Sequence, residues 1–283
     1  MKKMAILLRA VFSLLLLVSL VCVSACSTGN ASDSSASDES WKTIQQKGTL
    51  VIGLEDDFLP VSDFDGDTVR GFAAESALEV CRRLNVEVEF VAVTASGAKE
   101  ALDAGEIDCV WAANKKSLLP EESSALSYTY FHGHQAILCL ASSEIRNIAD
   151  LQGQTLGVKD GSSGQKELEA STTFKDSLAG VSSYPDTASL KAALDEQEVF
   201  AIVLEDFVAE YYCRESPEMY SMLSDDTGNA PMSLTQDDYC TIFRSGDASL
   251  AAQVESILDQ MISDGTLAVY SSKWFGKDLI TAH

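Results

Sequence analysis

Residues 151–164 read LQGQTLGVKDGSSG and predict a strand, a turn and the start of a helix. Residues 155–158 are typical of a short buried strand, the glycines and serines of 160–164 indicate a turn, and residues 165–170 contain no helix breaker. The first turn of a helix carries unpaired N–H groups and a partial positive charge, so it can bind a small anion. Gly161 would let the backbone approach a ligand, and Ser162 and Ser163 would add hydroxyl donors. The alternative is an ordinary turn in which Ser163 caps the helix.

Strands and helices alternate along the rest of the chain. Apolar or alternating stretches predict strands, and apolar residues at helical spacing predict helices, in this order: strand 49–54, helix 71–85, strand 86–90, helix 96–104, strands 107–112, 134–141 and 181–184, helix 187–196, strand 200–204 and helix 205–214. This order predicts an α/β fold with mostly parallel sheets, in which ligands bind at the carboxyl ends of the strands. In the first half of the chain those ends lie at 55–58, 91–95 and 112–116.

The last third of the chain contains one strong helical pattern. Residues 248–264 have the spacing of a strongly amphipathic helix with Gly265 as its stop.

The composition limits the kinds of partner. The chain has 283 residues, 46% of them hydrophobic, which is enough for two α/β domains. Its formal net charge is −23. Binding to nucleic-acid phosphates needs clusters of basic residues, and the sequence shows none, since Lys115 and Lys116 are a single pair. We therefore expect no nucleic-acid partner.

The first 40 residues predict an export signal and a tether. Lys2, Lys3 and Arg9 precede the apolar run 11–21, which is typical of a signal peptide covering residues 1–25. The segment 23–26, VSAC, is similar to the cleavage site of bacterial lipoproteins, which implies a lipid on Cys26. Residues 26–40 are rich in serine and aspartate and predict a flexible tether. The alternative is an uncleaved membrane anchor, although the apolar run is short for a spanning helix.

Five cysteines would remain after processing and lipidation. They are Cys81, Cys109, Cys139, Cys213 and Cys240. None of them forms a CxxC pair, so the spacing does not support a metal cluster or a redox motif. We expect small buried residues, and one disulfide could form between a pair that the sequence cannot choose. His132 and His134 alternate on an extended segment, but no third metal ligand is evident beside them, so we expect no metal site and no cofactor.

Short motifs in a fixed order resemble those of family 3 of the solute-binding proteins of ABC transporters, the type that binds polar amino acids. The likeness covers residues 41–277. Besides the stretch 151–164, the matching positions are Gly48, Leu50 and Gly53; Gly71, Phe72 and Glu75; Gly105, Ile107 and Asp108; Ser127 and Tyr130; Asp264-Gly265-Thr266; and Lys273-Trp274-Phe275-Gly276.

The resemblance implies a fold of the periplasmic-binding-protein type II. Two α/β lobes, 41–134 with 235–283 and 135–234, would be joined by two crossing segments and would close on a ligand. It also implies a monomeric, lipid-anchored receptor outside the cytoplasm that passes a small polar solute to an ABC permease without catalysis.

The resemblance also suggests site residues, and this chain departs from the family at several of them. Ser162 and Ser163, with Gly161, would bind the solute carboxylate, and Glu205 stands where the family has an aspartate that binds the ammonium group. Phe58 and Trp111 are candidate walls, and Ala95 stands where a tryptophan often walls the pocket.

The family's carboxylate-binding arginine is missing. Ser117 stands at the position of a threonine in the same motif, and Pro120 stands at the position of the arginine. Lys115 or Lys116 could substitute, although an ammonium group is a point charge rather than a two-pronged donor. The losses suggest an unusual ligand, such as a dipeptide, an amine or a solute that is not an amino acid.

Two other functions fit the same resemblance. The domain could sense or present a solute without transport, or it could be an enzyme, because cyclohexadienyl dehydratases resemble this family. Glu205 or Glu75 could supply an acid for that reaction, but the carboxylate clamp that it needs is missing.

Overall fold

The computed structural model describes residues 38–94, 96–114, 119, 123–224 and 232–281, and all statements about the structure concern these residues. Its first half contains α1 (Ser40–Lys47), β1 (Thr49–Glu55), β2 (Asp63–Asp65), β3 (Thr68–Arg70), α2 (Phe72–Leu84), β4 (Glu87–Val93), α3 (Ala98–Ala104), β5 (Cys109–Asn114) and β6 (Leu126–Leu140). The second half contains β7 (Thr155–Lys159), α4 (Ser163–Ala170), α5 (Thr172–Ser177), β8 (Gly180–Tyr184), α6 (Thr187–Asp195), β9 (Ala201–Glu205), α7 (Asp206–Glu215), β10 (Tyr220–Met222), β11 (Gln236–Phe243), α8 (Ala248–Ser263) and α9 (Thr266–Phe275). Within this part of the chain, no helix is both long and apolar enough to cross a membrane.

Local sequence explains where the main helices stop. α2 ends at Asn85, whose φ of 56° is left-handed, and α8 is followed by Gly265 with φ of 80°. Asparagine and glycine tolerate this backbone conformation better than other residues do, so both helix ends agree with the prediction. The face of α8 that carries Leu250, Val254 and Leu258 is buried, as the helical spacing of these residues predicts.

The main sheet consists of two parallel parts joined by antiparallel strands. Its order is β4-β1-β5-β11-β6-β9-β7-β8, and β10 also pairs with β6. β1 is parallel to β4 and β5, and β7 is parallel to β8 and β9. β11 is antiparallel to β5 and β6, and β6 is antiparallel to β9. The predicted α/β class is therefore confirmed, with β6 and β11 between the two parallel parts.

β6 changes its partner where the sequence predicts a change of lobe. Residues 126–134 pair with β11, and residues 135–139 pair with β9. β6 starts at Leu126, eight residues before the strand expected at 134, because its first half mixes polar residues with buried aromatic ones and is paired along β11. The lobe boundaries themselves stay a prediction. At the other end of the first lobe, Asp38 and Ser40 of the predicted tether contact Ser249 at the start of α8.

An aromatic cluster packs beside β6 and β11, the two crossing strands that lie between the parallel parts of the sheet. Phe131 of β6 stacks on Tyr239 of β11 at 4.7 Å between ring centroids, and the edge of Phe207 of α7 packs on Tyr239 at 5.1 Å. Phe275 of α9 contacts Phe131 and Phe207 at 5.5 and 5.3 Å. Gly133 is buried against this cluster, and a Cβ atom there would lie 2.6 Å from the Phe207 ring. The lack of a side chain at residue 133 therefore allows α7 to approach the crossing strands.

Replacing Gly133 by alanine should destabilise the protein. Because the clash is with a buried ring, we expect the free energy of unfolding to fall by about 1–3 kcal/mol, as measured by urea denaturation. Gly246→Ala is the control, since a Cβ atom at Gly246 meets nothing within 4 Å. Equal stability of the two variants would contradict this account of the packing.

Candidate functional site

Charged residues lie at the carboxyl ends of three strands, one from the first parallel part of the sheet and two from the second. Glu55 ends β1, Lys159 ends β7 and Glu205 ends β9. The side chains of Lys159 and Glu205 are only 10% and 5% exposed, whereas that of Glu55 is 26% exposed. The carboxyl ends of parallel strands are where ligands bind in folds of this kind. These three residues therefore define the candidate site.

Lys159 lies between the two carboxylates. Its Nζ atom donates a hydrogen bond to Oε1 of Glu55 at 3.0 Å and lies 3.9 Å from Oε1 of Glu205. The same atom lies 4.9 Å from the centroid of the Phe58 ring, a cation–π distance. Burial lowers the pKa of Lys159, but the attraction of Glu55 and Glu205 outweighs burial and raises that pKa above its ordinary value. Lys159 is therefore a charged ammonium group at neutral pH.

Glu205 is the more buried of the two carboxylates. Burial raises its pKa, and the attraction of Lys159 opposes that rise. Because the ammonium group of Lys159 is 3.9 Å away, it neutralises part of the charge without a close hydrogen bond. Glu205 can therefore accept further hydrogen bonds from a cationic donor that enters the site.

The turn between β7 and α4 has its hydroxyl groups engaged within the protein. Ser162 is the N-cap of α4, and its Oγ accepts a hydrogen bond from the N–H of Gln165 at 3.1 Å. The alternative that placed the cap at Ser163 is therefore wrong by one residue. Oγ of Ser163 donates to Oδ2 of Asp237 in β11, and Nε2 of Gln135 donates to the same oxygen at 2.9 Å. A carboxylate of the chain itself thus lies at the start of this helix.

Gly161 and Phe58 lie at the same end of the sheet as these groups. Gly161 has a φ of 70°, which suits glycine, and its N–H donates to the side chain of Gln165 at 2.7 Å. Phe58 is 3% exposed, contacts Lys159 and packs edge-on against Phe207 at 6.2 Å. Of the predicted site residues, Phe58, the turn residues and Glu205 are therefore brought together around Lys159.

Two predicted residues are not brought to this group. Trp111 is 2% exposed, and its Nε1 donates to Oγ of Ser76 on α2 at 3.0 Å, so it lies in the core of the first half. Its role as a site wall stays a prediction. Ser117, together with Lys115, Lys116, Pro120 and Ala95, lies outside the described residues.

Sequence reasoning did not select Lys159, Glu55, Asp237 or Gln135. A charged residue at the end of an otherwise apolar strand is a signal for Lys159, and Glu55 stands within a strand end that the sequence did predict. Asp237 lies on β11 and Gln135 on β6, and Asp237 is 74 residues from Ser163 in the chain. Only their contacts across the fold show that they belong to the site.

A second acidic group lies next to Glu55. Carboxylate oxygens of Asp56, Asp57 and Asp63 lie within 4.8 Å of one another. Oδ1 of Asp56 accepts from the N–H groups of Asp57 and Phe64, and Asp63 is paired with Arg70. These bonds fold the loop between β1 and β3.

Replacing Lys159 by methionine tests the electrostatics of the site. The change keeps the apolar stem but leaves Glu55 and Glu205 without their shared cation, so we expect the free energy of unfolding at pH 7 to fall by about 3 kcal/mol. Adding Glu205→Gln should recover part of the loss. Lys175→Met, at an exposed position of α5, is the control and should have little effect. All are measured by urea denaturation.

The deficit of Lys159→Met should also grow with pH. Without the ammonium group the pKa of Glu205 rises further, so the folded variant binds more protons than the unfolded chain, and its stability falls as the pH rises. In the parent protein, Lys159 stays charged at both about pH 5 and about pH 8, because its pKa is raised above the ordinary lysine value. Its contribution to stability would be lost only at a pH above this range. The deficit should therefore be larger at about pH 8 than at about pH 5. A deficit that does not change with pH would contradict the placement of Glu205 beside Lys159.

The chain is similar in sequence to known binding proteins. The family model of the bacterial extracellular solute-binding proteins, family 3, matches residues 50–277. The chain is 25% identical over 278 residues to the L-cystine-binding protein TcyA of Bacillus subtilis, covering 96% of this chain and 98% of TcyA. It is 24% identical over 264 residues to the arginine-binding extracellular protein ArtP of the same organism, covering 92% of this chain and 97% of ArtP.

A solved structure shares the fold. The crystal structure of Tv2483 bound to L-arginine has a TM-score of 0.73 and 27% identity, with 86% of this chain and 96% of that chain covered. That structure has the type II binding-protein architecture, which agrees with the order of strands described here. The relatives above are also binding proteins. The chain belongs to the bacterial extracellular solute-binding proteins, family 3.

Proposed function

We propose that this protein binds a small solute of the amino-acid class between its two halves and delivers it to an ABC permease. The observation that carries the proposal is Glu205, a carboxylate that is 5% exposed at the end of β9 and lies 3.9 Å from the ammonium group of Lys159. An amino acid offers an ammonium group that can donate to such a carboxylate. The relatives that bind cystine and arginine support the solute class.

The surroundings of Glu205 suit the rest of such a solute. Binding a zwitterion away from water needs a negative group, a positive group and an apolar wall. Glu205 supplies the negative group, Lys159 the positive group and Phe58 the apolar wall. The backbone at Gly161 forms one side of the proposed site. We propose that the two lobes close over the solute at these residues.

We propose that the protein acts outside the cytoplasm and binds its solute without catalysis. The relatives are extracytoplasmic binding proteins, and we propose that Cys26 carries a lipid that holds this receptor, as a monomer, at the membrane. A sensing role would use the same site. Genes for a permease and an ATPase beside this one would favour transport, and formation of a product from prephenate or arogenate would show an enzyme instead.

Replacing Glu205 by glutamine should weaken solute binding. A thermal-shift screen of amino acids, cystine and amines on the mature protein in mild detergent should give a ligand, which at about 100 times its dissociation constant adds about 2.7 kcal/mol of stability. Because the ammonium group loses a buried ionic partner, we expect Glu205→Gln to bind that ligand at least about 30-fold more weakly by calorimetry.

The matched control is Glu169→Gln, on the exposed face of α4, which should leave the affinity unchanged. If the two variants bind the ligand equally well, Glu205 is not in the site. If no amino-acid-like solute raises the stability of the parent, the proposed function is wrong.

Replacing Cys26 by serine should release the protein from the membrane. The variant lacks the thiol that would carry the lipid, so we expect it in the aqueous fraction after detergent phase separation, while the parent enters the detergent phase. Equal partitioning of the two proteins would contradict a lipid on Cys26.

A further inference from the structure

The hydroxyl groups that the sequence suggests for anion binding at the start of α4 are engaged within the chain. The hydroxyl of Ser162 caps the helix, and that of Ser163 donates to Asp237. The N–H groups of Gly161 and Gln165 are also bonded within the turn. A solute carboxylate placed there would meet the negative charge of Asp237. A cationic group beside this turn would therefore favour the negative end of a solute more than the turn itself does.

Lys159 is placed to be that cationic group. An ammonium group has three N–H donors, and a hydrogen bond to Glu55 at 3.0 Å uses one of them. Glu205 is beyond hydrogen-bond distance at 3.9 Å. The stem of Lys159 is buried and its ammonium group rests on Phe58, so the position of the charge is fixed rather than flexible. A fixed charge binds a ligand without first losing much side-chain freedom.

The sheet places Lys159 and Glu205 at the ends of neighbouring strands. β7 and β9 are adjacent parallel strands with Val158 paired to Val203, so Lys159 lies level with Leu204, one residue before Glu205. The two residues are not directly opposite each other, but their side chains bring a positive and a negative group to within 3.9 Å of each other. The carboxylate and the ammonium group of an α-amino acid are bonded to one carbon atom and have a similarly small separation.

We propose that Lys159 binds the carboxylate of the solute while Glu205 binds its ammonium group, so that the site selects α-amino acids over the corresponding amines. The charges then alternate from Glu55 through Lys159 and the solute to Glu205. This inference rests on the proposed function, and it assigns to the end of β7 the role that the missing arginine would have. A competing arrangement, in which a cationic solute displaces Lys159 from both carboxylates, predicts the opposite preference.

The test compares amino acids with their decarboxylated amines. The probes are L-arginine with agmatine, L-histidine with histamine, and L-cystine with cystamine, titrated by calorimetry into the mature protein. We expect the parent to bind at least one amino acid at least about tenfold more tightly than its amine, since one ionic hydrogen bond to a buried partner is worth that much. Lys159→Met should bring the ratio close to one by weakening the amino acid, and Lys159→Arg should keep most of it.

The double variant Glu55→Gln, Lys159→Met removes one charge of each sign. Because it leaves no unpaired carboxylate at residue 55, it should fold even if Lys159→Met alone does not. It should show the same lost preference as Lys159→Met. The inference is overturned if Lys159→Met or the double variant weakens an amino acid and its amine by the same factor, or if the amine binds the parent as well as the amino acid does. Absence of binding by every amino acid, cystine included, would instead overturn the proposed function and the inference with it.

Discussion

The ammonium group of Lys159 lies between carboxylates from two separate parts of the sheet, and its burial constrains the residues around it. Moving an ammonium ion out of water costs several kcal/mol, which nearby carboxylates offset only while they remain within a few ångströms. Glu55 belongs to β1 and Glu205 to β9, at 3.0 and 3.9 Å from Nζ of Lys159. Because these strands lie in different parallel parts of the sheet, one buried charge links both parts. Stability and the proposed recognition of a solute would therefore depend on the same three side chains.

The aromatic packing at the crossing strands holds Glu205 in position. Phe207 follows Glu205 by two residues, at the start of α7, and its ring is fixed between Phe58 and Tyr239. The far side of α7 is also tied down, since Nζ of Lys277 donates to Glu210 at 2.7 Å. A charged carboxylate at the start of a helix is favoured by the helix dipole, but its direction is set by this packing. The apolar core thus determines the geometry of the charged site.

Much of the fold could be predicted from the sequence because its signals are local. Asn85 and Gly265 mark helix ends through their own backbone preferences, and the apolar spacing of α8 reports its buried face. The ion pairs of Lys159 and the bond between Ser163 and Asp237 could not be predicted, because they join residues far apart in the chain. The start of β6 could not be predicted for the same reason, since its mixed polar and aromatic first half becomes a strand by pairing with β11, which is distant in the chain.

A helix start that follows glycine and serine predicts a site for an anion, but it does not say where the anion comes from. In this chain Asp237 supplies the carboxylate, and Gln135 and Ser163 donate to it inside the protein. With this carboxylate of the chain at the helix start, the proposed cation for a solute is Lys159, at the end of the strand that precedes the same turn. Because β7 and β9 are neighbours, the strand ends that carry the opposite charges are held by the sheet rather than by loops. A rigid pair of strand ends can therefore recognise the two charged groups that all α-amino acids share, which leaves the more variable loops to distinguish their side chains.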